Sequence, residues 1–317
     1  MRQITSLFLP LLLLFLLPSF ASALTISPTK IDVAGDPGQT VIGEIELFNE
    51  QGEDKTFYTS FENFEPRGET GAPYFVGGGT GLASWLGSTE QVVIKAGEKI
   101  AIPYSITIPQ DATPGGYFAA VFFGTQPTVE GGGSEVSIGG KVGTLILLKV
   151  NGEVSEAGGI LNFASTDEKK FFTGVPIEFS YRFNNTGGDR VVPKGEIVVT
   201  NLFGGETVKL NANDTDGSVL PNSVRKFGIL WDHTGGPTSE QISFFDSVSQ
   251  QFNNFHFGYY NANLSLTWGE TSQKSDVDFY FFIIPWQLLS VVFVGLVLFY
   301  ILLRAYNRMI IARAKSS

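Results

Sequence analysis

One short stretch, Asn-Ala-Asn-Asp-Thr-Asp-Gly-Ser, gathers enough oxygen-bearing side chains to raise the question of a calcium site. Its candidate ligands are Asn213, Asp214 and Asp216, because calcium takes hard oxygen donors from carboxylates and amides. When the stretch is aligned with an EF-hand loop, the first and last ligand positions fall on Ala212 and Ser223, which are not carboxylates. Half of the ligand pattern is missing, so the sequence favours a solvated turn between strands over a metal site.

Residues that catalyse hydrolysis or hold zinc are scarce in this chain. It contains two histidines, His233 and His256, and no cysteine. Neither histidine belongs to a His-Glu-x-x-His pattern, and no Gly-x-Ser-x-Gly nucleophile elbow is present. A carboxylate pair for glycoside hydrolysis stays open, because a chain with 31 acidic residues offers many such pairs. We therefore expect a non-catalytic protein without a cofactor, with both histidines in ordinary loop or strand positions.

A glycine-rich segment, Val-Glu-Gly-Gly-Gly-Ser-Glu-Val, is a candidate for ligand binding of another kind. It lacks the Lys-Ser/Thr of a phosphate-binding loop and lies between two stretches with strand-like alternation. We expect a loop at one end of a β-domain, where binding residues are often placed. The candidate binding residues are Gly131, Gly132, Gly133 and Ser134.

The first 23 residues are typical of a secretory signal. Arg2 precedes a long apolar run, and the small residues Ala21 and Ala23 suit cleavage before Leu24. The alternative is an uncleaved anchor helix; the proline and small residues before Leu24 favour cleavage. We expect the rest of the chain to be exported.

Near the C-terminus, residues 283–303 form an uncharged stretch long enough to cross a bilayer. Its 21 residues, at about 1.5 Å each in a helix, match a hydrocarbon core of roughly 30 Å. The following segment, 304–317, carries four basic residues and no acid, which predicts a cytoplasmic tail. A buried core helix is the alternative, and the one-sided charge argues against it.

The part between signal and anchor is strongly acidic. Five of the 21 Lys and Arg residues lie outside 24–278, and all 31 acids lie within it, so this part carries a net charge of about −15. Such a surface disfavours nucleic acid and favours cations or basic partners, although solubility alone would also explain it. Without cysteine, the exported domains must be held by hydrophobic cores.

The apolar periodicity of this part is two, with β-branched and aromatic residues in short runs bounded by Gly, Pro, Asn and Asp. The pattern predicts an all-β chain made of antiparallel sandwiches. Few stretches before the anchor could form a long amphipathic helix.

A polar turn motif occurs twice, and each copy lies between two predicted strands with alternating apolar and polar residues. Phe-Asn-x-x-Gly-x-Asp-basic occurs at 48–55 and again at 183–190, which pairs Asn49 with Asn184. A second match pairs Tyr117 with Tyr259, each expected to begin the sixth strand of a sandwich and to pack there, where such a hydroxyl often caps a loop. Since both matches come in the same order, we predict two tandem immunoglobulin-like sandwiches.

The predicted organisation follows from these signals, with a boundary at the glycine-rich turn that ends a long apolar strand. It comprises a signal peptide (1–23), a first sandwich (24–154), a second sandwich (155–282), a transmembrane α-helix (283–303) and a basic cytoplasmic tail (304–317).

Four segments of the first domain carry a resemblance to a known family. They are LTISPTKIDVAGDPGQTVIGEIELFN, ASWLG, VVIKAGEKIAIPYSITIPQDATPGGYFAAVFFG and VSIGGKVGTLILLKVNGEV. In order and spacing they resemble the N-terminal immunoglobulin-like domain of the bacterial WxL-interacting surface proteins, over most of residues 24–155. That domain is in turn similar to the sandwich of periplasmic pilus chaperones. The Pro-x-Asp-Ala-x-Pro-Gly-Gly-Tyr run is the most specific piece.

The resemblance implies a single-pass envelope protein with a cell-wall contact in its first domain and protein partners or host matrix for its second. It assigns no binding residue in this chain. The Trp-Gln-Leu at 286–288 lies in the predicted membrane helix and does not correspond to the partners' own motif. The basic pair with which pilus chaperones grip a client also has no assignable equivalent here.

The sequence thus predicts a membrane-anchored, non-catalytic surface protein whose ectodomain contacts a cell-wall polymer or a surface protein. The alternative is an anchored, chaperone-like assembly factor that grips exported clients by strand addition. No nucleic acid is expected as a partner, and the oligomeric state stays open.

Overall fold

The computed structural model describes residues 24–126, 140–232 and 243–315. They form β-sandwich sheets followed by one apolar C-terminal helix, which confirms the predicted fold class. The chain divides into two compact units. The first takes in residues up to 65 and 74–153, and the second takes in 66–73 and the chain from 154 onwards.

The described residues of the first unit form ten strands and a 3-10 turn at Gly81–Ser84. The strands are β1 (Leu24–Ser27), β2 (Lys30–Gly35), β3 (Thr40–Asn49), β4 (Lys55–Pro66), β5 (Pro73–Gly77), β6 (Leu86–Ser88), β7 (Gln91–Ile94), β8 (Lys99–Thr107), β9 (Gly115–Gly124) and β10 (Lys141–Val150).

Two sheets enclose the core of the first unit. One has the order β1-β3-β8-β6, and the other has the order β2-β10-β9-β4-β5, with β7 paired to β4. Strand alternation sends Ile45 and Leu47 of β3 into the core, where they meet Phe57 and Phe123 from the other sheet. Glu44 and Glu46, which alternate with these residues along β3, stay exposed, as the period of two requires.

In the second unit, the residues that the structure describes form eight strands and two helices. The strands are β11 (Gly158–Ser165), β12 (Phe171–Phe172), β13 (Ile177–Asn185), β14 (Lys194–Asn201), β15 (Glu206–Asn211), β16 (Ser223–Trp231), β17 (Gly258–Trp268) and β18 (Gln273–Ile283), and the helices are α1 (Phe244–Asn253) and α2 (Trp286–Lys315).

The sheets of the second unit have the orders β11-β13-β16 and β12-β18-β17-β14-β15. Their shared core is markedly aromatic, with Phe179, Tyr181, Phe183, Trp231 and Phe281 all buried. Phe179 and Phe281 meet edge to face, with ring centroids 5.8 Å apart, a favourable arrangement of aromatic pairs.

Both units share an unusual first strand that is split between the two sheets. The first half pairs antiparallel with the next strand, β1 with β3 and β11 with β13. The second half pairs parallel with the last strand, β2 with β10 and β12 with β18. The two sandwiches therefore have the same topology, as the repeated turn predicted.

The C-terminal helix α2 contains a stretch from Trp286 to Ile311 that is apolar and long enough to cross a membrane. None of its most apolar window is buried against the protein. It begins three residues later than predicted, because β18 continues to Ile283. The ten-residue helix α1 was not predicted, and its residues lie in the connection from β16 to β17.

Candidate functional site

Some of the residues singled out from the sequence lie outside the described part of the chain, and others lie within it. Gly131, Gly132, Gly133 and Ser134 lie outside the described residues, as do His233 and the predicted signal. His256 is described, and its ring packs 5.1 Å from the ring of Trp231 at the edge of the aromatic core.

The side chain of Asn213 is used by its own loop. Its amide donates hydrogen bonds to the carbonyls of Pro193 (2.9 Å) and Gly217 (3.0 Å), and its oxygen accepts one from the Gly217 N–H. Asp214 and Asp216 are exposed beside it. Within residues 24–126, 140–232 and 243–315, no group of three or more His, Asp or Glu is placed to hold a metal ion.

A polar surface ordered by hydrogen bonds lies on the outer side of the five-stranded sheet. We call it the amide–carboxylate face, and define it by Asn261, Asn263 and Ser265 of β17 with Asp276 and Asp278 of β18. Because side chains alternate along a strand, the intervening residues point into the core. The pairing of β17 with β18 sets Asn263 opposite Asp278 and Ser265 opposite Asp276.

Hydrogen bonds fix these side chains relative to one another. The Asp278 carboxylate accepts from the amides of Asn261 (3.0 Å) and Asn263 (3.1 Å), and Asp276 accepts from the hydroxyl of Ser265. A carboxylate has about four lone-pair positions, so each aspartate keeps acceptor capacity for a ligand. The face is thus an ordered set of acceptors and amide donors.

The face continues across β14 and β15 as two rows of side chains. Glu196 of β14 pairs with Ser265. Val198 of β14 pairs with Asn263 on one side and with Lys209 of β15 on the other. The Lys209 ammonium lies 2.6 Å from a Glu196 carboxylate oxygen, and this hydrogen bond raises the pKa of Lys209. An open depression of about 840 Å³ follows these rows.

An aromatic platform adjoins the face at the end of the sheet where β18 leads to α2. The rings of Tyr259 and Tyr280 are stacked, with centroids 5.8 Å apart and planes 10° apart. Phe282 and Phe171 are stacked in the same way, with centroids 5.4 Å apart. Phe282 also meets Tyr259 edge to face, so the four rings form one continuous platform.

The arrangement suits a ligand rich in hydroxyl groups. Amides both donate and accept, carboxylates accept from hydroxyls, and aromatic rings pack against apolar ring faces. This face was not predicted from the sequence, although a signal was present. In Asn-Ala-Asn-Leu-Ser, the two asparagines and the serine occupy every second position, and in Ser-Asp-Val-Asp the two aspartates do the same. This spacing places them on one side of a strand.

The comparisons with known proteins show no family for this chain. No family model matches the chain, and neither does any curated protein sequence. The chain is similar to the crystal structure of the class 5 fimbriae chaperone CfaA, with 14% identity over 82% of this chain and 99% of that one, at a TM-score of 0.39. It is also similar to the YadV chaperone (9% identity, 81% and 98% covered, TM-score 0.36) and to the E. coli chaperone DraB (7%, 83% and 97%, 0.36). These neighbours are pilus-chaperone-like sandwiches of low identity; none carries the name of the WxL-interacting family, which stays a prediction from the sequence.

Proposed function

We propose that this chain is a membrane-anchored, non-catalytic binding protein of the cell envelope, and that its amide–carboxylate face contacts a cell-wall polymer. The observation that carries the proposal is the fixed row of amides and carboxylates beside the stacked rings of Tyr259 and Tyr280.

The charge of the face narrows the polymer to a neutral, hydroxyl-rich one. Asp276 and Asp278 are acidic and Glu196 is paired with Lys209, so the face carries a net negative charge, and residues 24–278 as a whole carry about −15. A polyanionic polymer would be repelled by this surface. The hydroxyl and amide groups of uncharged glycan strands match the donors and acceptors that the face presents.

Anchoring is supported by the stretch from Trp286 to Ile311, whose most apolar 18-residue window has a mean hydropathy of 2.5. At about 1.5 Å per residue it exceeds the roughly 30 Å of a hydrocarbon core, so it can span with some tilt. Arg304 and Arg308 lie in its last turns, and the tail adds further cations and no acid. The positive-inside rule then places the C-terminus in the cytoplasm and the sandwiches outside.

Retention on purified peptidoglycan tests the proposal. The full chain in detergent should co-sediment saturably, and Asn263→Ala should weaken binding about fivefold, which corresponds to the roughly 1 kcal/mol of one hydrogen bond. The matched control is Asn162→Ala, the same substitution at an exposed position of β11, in the other sheet. Equal retention by all three proteins would overturn the assignment of the face.

A second function, assembly of exported proteins by strand addition, is favoured by one observation. Within the described residues, β15 ends the order of the five-stranded sheet and pairs with β14 alone. Such an edge offers backbone donors and acceptors to an extended segment of a client. In that case a protein, and not a polymer, would be retained with one-to-one stoichiometry.

A further inference from the structure

Five exposed phenylalanines surround the short helix α1, and we call them the phenylalanine collar. Phe245 and Phe252 are 76% and 73% exposed. The other members are Phe244, Phe255 and Phe257. So many exposed aromatic rings within 14 residues are unusual for a surface that faces water, and they mark an interaction site.

The local sequence explains why a helix forms here. Ser243 is the N-cap, and its hydroxyl oxygen accepts a hydrogen bond from the Asp246 N–H at 3.2 Å. Asp246 also places a negative charge in the first turn, where the helix dipole favours it. Serine followed three residues later by an acid resembles the known signature of a helix start.

Helix α1 is held against the first turn of α2 by a buried glutamine. Gln251 is 6% exposed; its amide donates to the Gln287 side-chain oxygen (2.6 Å), and its own oxygen accepts from the Leu288 N–H (2.9 Å). The ring of Phe244 also lies 6.1 Å from that of Trp286. These contacts fix α1 beside the residues where α2 leaves the sandwich.

The two most exposed rings lie on one side of α1. At 100° per residue, Phe245 and Phe252 are seven positions apart and project in nearly the same direction. Phe244 and Gln251 form the neighbouring strip that faces α2. Serine, asparagine and aspartate side chains occupy the opposite side, so α1 is amphipathic with its apolar strip next to the membrane-spanning helix.

Resting on the proposed membrane anchoring, we propose that the phenylalanine collar inserts into the interfacial layer of the bilayer. The second sandwich is then held against the membrane at two points, α2 and the collar. Since α1 is bonded to the start of the span, its rings lie at the depth of the lipid head groups, where aromatic side chains of interfacial helices insert about 5–10 Å.

The chemistry of the collar indicates that insertion does not require anionic lipid. Residues 243–257 contain no lysine or arginine, and Asp246 is their one acid. Attraction to acidic head groups, which basic amphipathic helices use, is therefore missing. Burial of aromatic surface drives the interaction, and zwitterionic lipid suffices.

Depth-dependent quenching tests the collar, and the chain is convenient for it because it has no cysteine. Single variants Phe245→Cys and Phe252→Cys of the full chain would carry an environment-sensitive fluorophore in phosphatidylcholine vesicles. A spin label near the head group should quench both sites more than a label deep in the acyl chains. Circular dichroism of each labelled variant checks that it is folded.

Two further labelled sites separate failure of the collar from failure of anchoring. Val297→Cys, in the middle of the span, should be quenched most by the deep label; Phe203→Cys, 92% exposed at the β14–β15 turn, should be unaffected by either. Quenching at residue 297 without quenching at 245 and 252 overturns the collar and leaves anchoring intact. No quenching at 297 overturns anchoring itself. Two other results would also contradict the proposal. Collar sites that are shielded from water only at a high protein-to-lipid ratio would indicate contact with a second copy of the chain. Collar sites that are quenched only when anionic lipid is added would show that insertion depends on anionic lipid.

Discussion

The two sandwiches share one topology and differ most at one connection. In the first unit seven residues lead from β8 to β9, through the Pro-x-Asp-Ala-x-Pro run. In the second unit 26 residues separate the corresponding strands β16 and β17, and they include α1 and its phenylalanines. A connection can grow at modest entropic cost, so the same scaffold can carry a plain turn in one copy and a proposed membrane contact in the other.

In contrast to this connection, one buried asparagine has the same role in both sandwiches. Asn49 ends β3 and donates to the carbonyls of Ile94 and Glu53, while its oxygen accepts from the Gln51 N–H. Asn185 ends β13 and donates to the carbonyls of Asp189 and Val219, while its oxygen accepts from the Gly187 N–H. Both side chains are fully buried.

A tyrosine shows the same equivalence. The hydroxyl of Tyr117 bonds with Thr113 in the turn just before it, at 2.8 Å from the threonine hydroxyl. The buried Tyr260 makes a hydrogen bond with the backbone of Phe257, also just before it. Tyr259 instead lies on the outer face and stacks on Tyr280.

The largest expected effect tests the asparagine equivalence. Asn185→Ala and Asn49→Ala should each lower the free energy of unfolding of their own sandwich by about 2–4 kcal/mol, because several buried backbone groups lose their partners. Asn184→Ala, at the half-buried neighbouring position, should change it by less than about 0.5 kcal/mol. Denaturant unfolding of the full chain in detergent measures all three, and a larger effect at Asn184 than at Asn185 would refute the equivalence.

A smaller difference should appear at alkaline pH, where Tyr181 of the second sandwich replaces Ile45 of the first. Burial raises the pKa of Tyr181, although the positive charge of Arg225 acts in the opposite direction. The unfolded state then loses its proton first, so stability is complete below pH of about 10 and falls above it, by about 1.4 kcal/mol per pH unit for one such group. Unfolding followed from pH 8 to 11.5 should show this loss in the second sandwich, and Tyr181→Phe should reduce it to the part contributed by Tyr260, whose pKa burial also raises. An unchanged slope would contradict the assignment.

The smallest effect concerns the two tyrosine hydroxyls. Tyr260→Phe and Tyr117→Phe should each cost about 1 kcal/mol, the net value of one hydrogen bond. Tyr259→Phe is the matched control and should leave the stability of the second sandwich unchanged within about 0.5 kcal/mol. Thermal unfolding of the three variants gives the comparison, and equal losses at Tyr259 and Tyr260 would show that their roles are not distinct.

These pairs also show how far the sequence alone could lead. It predicted the repeat, the sandwiches and the apolar helix correctly, since all three depend on periodicity and turn chemistry. It matched Asn49 with Asn184 and Tyr117 with Tyr259, and the structure shows that the equivalent residues are Asn185 and Tyr260.

Both corrections shift the register by a single residue, for one physical reason. The match relied on the Gly, Asp and basic residues of the turn, whereas burial decides which residue of a strand end points inward. A shift of one residue in a strand exchanges the two faces of the sheet. The amide–carboxylate face was missed because it depends on two strands lying side by side, which no single stretch of sequence records.

The proposed function requires the second sandwich to hold a polymer on the amide–carboxylate face. The most direct test is to immobilise the full chain in detergent and to measure, from one envelope preparation, both the peptidoglycan retained and the proteins enriched. We expect saturable retention of peptidoglycan that Asn263→Ala weakens and Asn162→Ala does not, with no protein enriched near one-to-one stoichiometry. Retention of one protein at one-to-one stoichiometry by the unmodified chain and both variants, without peptidoglycan, would contradict polymer binding. That result would favour an assembly factor.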